Sequence, residues 1–167
     1  MKKILIITDD KCDDSELLYP LYRMLEEGFV VDVAASAHKT VCAKYHFTAH
    51  ASKTFEELNA DDYDGLILPG GSAPEKIRQN KSAIKVTQEI FASGKPVCAI
   101  CHGPQILITA GLFKGMRATC YPGIKDDIIN AGAIYENAPV VVDKNLVTSR
   151  RPDDLPDWMR EFVKLLK

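Results

Sequence analysis

The sequence predicts an α/β fold built on a largely parallel sheet covered on both faces, and three observations carry that reading. Four apolar runs have strand length: "KILIIT" (3–8), "FVVDVAAS" (29–36), "DGLILPGG" (64–71) and "KPVCAI" (95–100). Amphipathic stretches at helical spacing separate them, and strands buried on both faces with helices between them pair in parallel. The chain has 167 residues, 46% of them hydrophobic and 26% charged, which suits one soluble domain with a real core and is too short for two of ordinary size. There is no repeat, linker or low-complexity tract, so residues 1–167 read as a single domain.

In order, the first strand leads into a helix that ends at Gly28, with Leu17, Leu18, Leu21 and Leu25 near helical spacing. Pro20 inside that stretch must either start the regular helix or kink it. The second strand is followed by a polar segment holding His38, His46 and His50, which reads as a solvated or hairpin surface. "TFEEL" opens on a capping box, Thr54 to Glu57, and starts a short helix. After the third strand, "SAIKVTQEIFASG" (82–94) is a helix stopped by Gly94. "GPQILITAG" (103–111) is a helix with Pro104 in its first turn and Gly111 past its end. A short helix "KDDIINAG", a hairpin "PVVVDKNLVTS" turning at Asp143–Asn145, and a terminal helix "LPDWMREFVKLLK" complete the chain.

The net charge of −2 and pI near 6.1 give no basic excess, so neither a nucleic acid nor an anionic membrane is an expected partner. The opening "MKKILIITDD" reaches its acids too early for a signal peptide or a membrane span. Five cysteines, an odd number, imply reduced thiols and a cytoplasmic location.

Ligands of such sheets bind beyond the carboxyl ends of the strands. Three loops therefore matter: after Thr8, after Leu68 and after Ile100. Cys101 stands directly between a strand and a helix, with Ala99 two residues before it and Gly103 two after. That is the pattern of a nucleophile elbow, whose tight turn needs small neighbours. The following helix N-terminus is expected to lower the thiol pKa. Cys98 lies within the strand and reads as core, which argues against a redox pair. Cys12, Cys42 and Cys120 are scattered singly and make no zinc spacing, so no metal or other cofactor is expected.

A nucleophile needs a base or an orienting group. No histidine follows His102, which excludes the order with a downstream histidine found in papain-like proteases and glutamine amidotransferases. The base is then His102 or a carboxylate. "DDKCDDSEL" supplies Asp13, Asp14 and Glu16 at the same sheet edge. Asp13 or Asp14 caps the helix. Glu16 can face the Cys101 thiol, where burial would raise its pKa and make it a proton donor. Gly70 and Gly71 end the neighbouring strand and can offer N–H groups to an oxyanion.

Together "ELLYPLYRMLEEG", "LILPGGSAPEKIRQN", "AICHGPQIL", "YPGIKDDIINAG" and "WMREFVKLLK" resemble the PfpI-type intracellular cysteine proteases of the ThiJ/PfpI superfamily, over nearly the whole chain. The resemblance implies a flavodoxin-like three-layer α/β/α sandwich of the class I glutamine amidotransferase-like kind. It implies Cys101 as nucleophile with His102 beside it, and Glu75 as third member reaching the site of a neighbouring subunit in a dimer-based hexamer. Glu16 matches the glutamate that contacts the cysteine, and Tyr121 a tyrosine near the substrate. Cys12 and Cys120 depart from the pattern and place two further thiols near the site.

The superfamily's activities, as the resemblance gives them, include peptidase, glyoxalase, deglycase, chaperone and oxidation sensor. Three readings follow for this chain. Cys101 attacks a peptide carbonyl, with the Gly71 and His102 N–H groups holding the oxyanion. Alternatively, Cys101 adds to an aldehyde such as methylglyoxal while Glu16 or His102 moves protons. In the third, the protein is a non-enzymatic stress or redox protein whose Cys101 oxidises. The aldehyde asks least of the site, being far more electrophilic than an amide.

Overall fold

The computed structural model describes all residues 1–167. Its strands are β1 (Lys3–Ile7), β2 (Val30–Ala35), β3 (Lys39–Cys42), β4 (Thr48–Ala51), β5 (Lys53–Thr54), β6 (Gly65–Leu68), β7 (Val97–Ile100), β8 (Arg117–Ala118), β9 (Ile134–Tyr135), β10 (Val140–Asp143) and β11 (Leu146–Ser149). Its helices are α1 (Asp14–Glu26), α2 (Ala73–Ile77), α3 (Lys81–Ala92), α4 (Pro104–Thr109), α5 (Lys125–Asn130) and α6 (Leu155–Leu166). The main sheet runs β10-β11-β7-β6-β1-β2-β5. All its pairings are parallel except β10 with β11. Every residue of β6 and β7 is buried, as expected of strands covered on both faces.

Helices lie on both sides of this sheet, α1 packing with α6, and α4 with α2, α3 and α5. On α6 the buried positions Leu155, Trp158, Met159, Phe162, Val163 and Leu166 follow helical spacing and form one apolar stripe. That stripe lies directly on β6: a Cβ on Gly65 would stand 3.0 Å from the Phe162 ring and 3.1 Å from Leu166.

Three local outcomes sharpen or amend the sequence reading. Helix α1 begins at Asp14, six residues before Pro20, so the proline lies inside it and leaves the Glu16 carbonyl without its helical donor. The capping box of Thr54 and Glu57 forms, but it closes a single 3₁₀ turn, Phe55–Glu57. The histidine-bearing segment is a true hairpin, β3 with β4. His38 on its approach meets Glu57 at 3.0 Å, while His46 takes a positive φ of 76° in its turn and His50 sits exposed on β4.

The chain crosses from β1 to β2 on one side and returns to β6 on the other side of β1. This reversal opens a crevice at the carboxyl ends of β1 and β6, where an open α/β sheet binds its ligand.

Candidate active site

Four segments converge on that crevice: the turn from β1 into α1, the glycine turn after β6, the elbow after β7, and the loop after β11. They enclose a cleft of about 400 Å³. The hairpin borders it as well. The Asp14 carboxylate accepts from the N–H groups of Tyr45 and Phe47, both at 2.7 Å, and Lys44 N donates to the Cys12 carbonyl at 2.9 Å. Asp14 therefore anchors the hairpin, while Asp13 caps α1 by accepting from Ser15 N and Glu16 N.

Cys101 has φ +60°, a left-handed conformation that costs a non-glycine residue of order 1–3 kcal/mol. Its surroundings hold it there. Its N–H donates to the Ser149 carbonyl at 3.1 Å, and its own carbonyl accepts from Tyr121 N at 3.0 Å. Gly103 is required two residues on, because a Cβ there would run into the Leu68 carbonyl and stand 3.0 Å from that of Ile100. The elbow geometry read from the sequence is present.

The thiol environment differs from the expected one. Cys101 is 9% exposed, and α4 begins only at Pro104 and is six residues long. Burial pushes the Cys101 thiol up, and the adjacent Glu16 carboxyl adds to that push. The N–H groups of Gly71 and His102 act the other way without cancelling it. Cys101 is thus held as the neutral thiol. The His102 ring lies beside it, with Nδ1 3.2 Å from Sγ. Burial lowers the His102 pKa below its ordinary value, although the Glu75 carboxylate draws it back up, so the imidazole is neutral near pH 7. The ring stacks on Tyr121, with centroids 4.8 Å apart and planes inclined by 28°.

Glu16 is fully buried. Its Oε2 accepts from Gly70 N at 2.7 Å, while Oε1 has no oxygen or nitrogen partner. Burial first, and the Asp13 charge second, raise its pKa to about 8, against the pull of the Gly70 N–H and the Cys101 thiol. At neutral pH this carboxyl is protonated. The sequence assigns the N–H groups of both Gly70 and Gly71 to an oxyanion, and here the structure differs. Gly70 N–H is taken by Glu16, and of the two only Gly71 faces the sulfur. Gly70 is needed for close approach: a Cβ there would lie 2.5 Å from Glu16 Oε2 and 2.8 Å from Cys101 Cβ.

Glu75, in the first turn of α2, lines the same cleft of its own chain. Its carboxylate is exposed and makes no hydrogen bond or ion pair, to His102 or to any other side chain. Cys12 and Cys120 are both buried, and burial pushes their thiols to about 11 and about 12. Cys98 is deep in the core, and Cys42 is the exposed thiol. Sequence reasoning missed Lys44, Gln105 and Arg151, which also line the cleft. Gln105 faces the site because it lies four residues past Cys101 on α4, and Arg151 because it follows the carboxyl end of β11, a position the parallel-sheet rule could have flagged. Lys44 carries no signal in the sequence, since its place depends on how the hairpin folds over.

No helix is long and apolar enough to cross a membrane. Comparison with known proteins agrees with the geometry. A deglycase of Pyrococcus abyssi is 52% identical over 165 residues, covering 99% of both chains. Protein/nucleic acid deglycase 2 of Escherichia coli is 40% identical over 168 residues, covering 99% of this chain and 98% of that one. Among solved structures, a two-domain protein of Anabaena variabilis with DJ-1/ThiJ/PfpI-like and ferritin-like domains superposes with a TM-score of 0.96 at 36% identity. The match covers 98% of this chain and 48% of that one. The profile of the DJ-1/PfpI family spans residues 2–165, and with the strained cysteine elbow and its buried glutamate in place, the chain belongs to that family.

Proposed function

We propose that the protein is a cofactor-free cysteine enzyme acting on reactive aldehydes and their amine adducts, as a glyoxalase or deglycase. The observation that carries this reading is the opposed titration of two groups flanking one thiol. His102 is held neutral 3.2 Å from the Cys101 sulfur, and Glu16 is held protonated up to about pH 8. Paired groups whose environments push their pKa values apart are the base and the acid of a site.

With methylglyoxal the addition step forms the Sγ–C1 bond and breaks the C1=O π bond. The thiol proton passes to His102 and the Glu16 proton to the aldehyde oxygen, leaving a hemithioacetal, an imidazolium and a carboxylate. Glu16 then removes the C1 hydrogen as a proton while His102 protonates the C2 oxygen, giving an enediol. Collapse of the enediol returns a proton to C2 from Glu16 and one from the C1 hydroxyl to His102, which leaves a lactoyl thioester on Cys101. Water cleaves this ester, its proton going to Glu16 while the imidazolium reprotonates the sulfur. C1 is oxidised as C2 is reduced, so no external redox partner is needed. An amine adduct of the same aldehyde offers the same carbon, with the free amine leaving as sulfur adds.

The names of the Pyrococcus and Escherichia relatives support the deglycase reading. A peptide bond asks more, because the amide carbon is a weak electrophile and His102 is not an imidazolium in the resting site. The test compares methylglyoxal turnover with turnover of an unblocked fluorogenic peptide on one purified sample. Aldehyde turnover that exceeds peptide turnover and is lost in Cys101→Ser is expected. Peptide turnover alone would reverse the assignment.

A further inference from the structure

Arg151 stands out among the arginines. The chain has six arginines. Arg23 pairs with Glu26 and Glu27, Arg117 with Glu136, Arg150 with Asp154 and Arg160 with Asp157, while Arg78 donates to Thr109. Arg151 alone has no side-chain partner, and it lines the cleft that holds Cys101. Lys44 lines the same cleft and pairs with no carboxylate, its ammonium lying 5.0 Å from the centroid of the Tyr45 ring. None of the three carboxyl groups of the cleft pairs with Arg151 or Lys44: Asp13 caps α1, Glu16 is protonated, and the Glu75 carboxylate makes no hydrogen bond or ion pair, its charge acting on His102 through space.

A free guanidinium on a cleft wall is a fork of fixed N–H donors, matched to a planar carboxylate or to a phosphate. We infer that Arg151, with Lys44 as a second cation, selects substrates bearing a small oxyanion, a carboxylate or a phosphate, close to the carbon that Cys101 attacks. This deepens the reading of the site as an aldehyde enzyme by naming a substrate class. It depends on that reading only for the identity of the electrophile.

Alkylation of Cys101 tests the anion preference without turnover. Iodoacetate and iodoacetamide present the same carbon to sulfur, with iodide leaving and the thiol proton passing through the site to water, but only iodoacetate carries a carboxylate. Rates at Cys101 and at the exposed Cys42 are read separately by peptide mass spectrometry. In the wild type the iodoacetate-to-iodoacetamide ratio at Cys101 is expected to exceed that at Cys42. Arg151→Gln should lower the Cys101 ratio by about threefold to tenfold, the scale of one partly solvated charge-assisted pair. Lys44→Gln should lower it less, Arg151→Lys should recover part of the loss, and the Cys42 ratio should not follow. Protection of Cys101 from iodoacetamide by acetate or by inorganic phosphate then tells which oxyanion fits better. A Cys101 ratio no higher than that of Cys42 and unmoved by Arg151→Gln overturns the inference, even where methylglyoxal is turned over. A biased ratio with no aldehyde turnover leaves it standing and overturns the enzymatic reading instead.

Discussion

Glu16 has the clearest consequence of any single residue. Unfolded, its carboxyl ionises near the ordinary 4.5; folded, it keeps its proton to about 8. The folded chain therefore loses stability as pH rises from 4.5 through about 8, by something on the order of a few kcal/mol, because only the unfolded state can shed that proton. Gln cannot ionise and keeps an oxygen for the Gly70 N–H. Glu16→Gln should thus gain on the wild type in urea midpoint steadily between pH 5 and 8, while losing turnover. A difference between the two proteins that stays flat with pH would mean Glu16 is ionised in the fold. Cys101→Ser should abolish turnover with little change in stability, and Cys98→Ser should do the reverse, since a hydroxyl at its buried strand position would lack a partner. These residues were legible because each lies next to a strand end with a recognisable local reason. The raised thiol pKa of Cys101 was not legible, because it comes from burial by segments distant in sequence.

At the scale of elements, the elbow depends on Gly103 more than on the helix that follows it. Gly103→Ala should cost about 1–3 kcal/mol by forcing a methyl group against two carbonyls. It should also slow iodoacetamide labelling at Cys101 far more than at Cys42; equal slowing at both would show that the turn tolerates the change. The parallel core was readable from its apolar runs, and α6 from its spacing. What escaped were short pieces defined only by their neighbours. The two-residue pair β8 with β9 has no pattern of its own. The hairpin was readable as a surface feature, but not its docking through Asp14, since an acid beside a helix start also reads as a cap.

For the molecule as a whole, an apolar face of α1 and the Glu75 carboxylate are among the groups that look outward. Leu18, Tyr22 and Leu25 on α1 are 38%, 57% and 48% exposed and share a face, as a contact with a second copy would require. Glu75 is exposed and unbonded within its own chain. If it serves the His102 of a neighbouring subunit, co-assembled Cys101→Ser and Glu75→Gln subunits should partly recover activity that neither has alone. No recovery in assemblies shown by native mass spectrometry to be mixed would assign Glu75 to its own site. The central claim, a neutral His102 base working with a protonated Glu16 acid on one thiol, is tested most directly by the pH dependence of kcat/KM for methylglyoxal. The wild type should rise as His102 loses its proton below pH 6.5 and fall again through about 8 as Glu16 ionises, and Glu16→Gln should lose the alkaline fall together with most of the rate. A Glu16→Gln enzyme with wild-type rate and an unchanged profile would contradict the account.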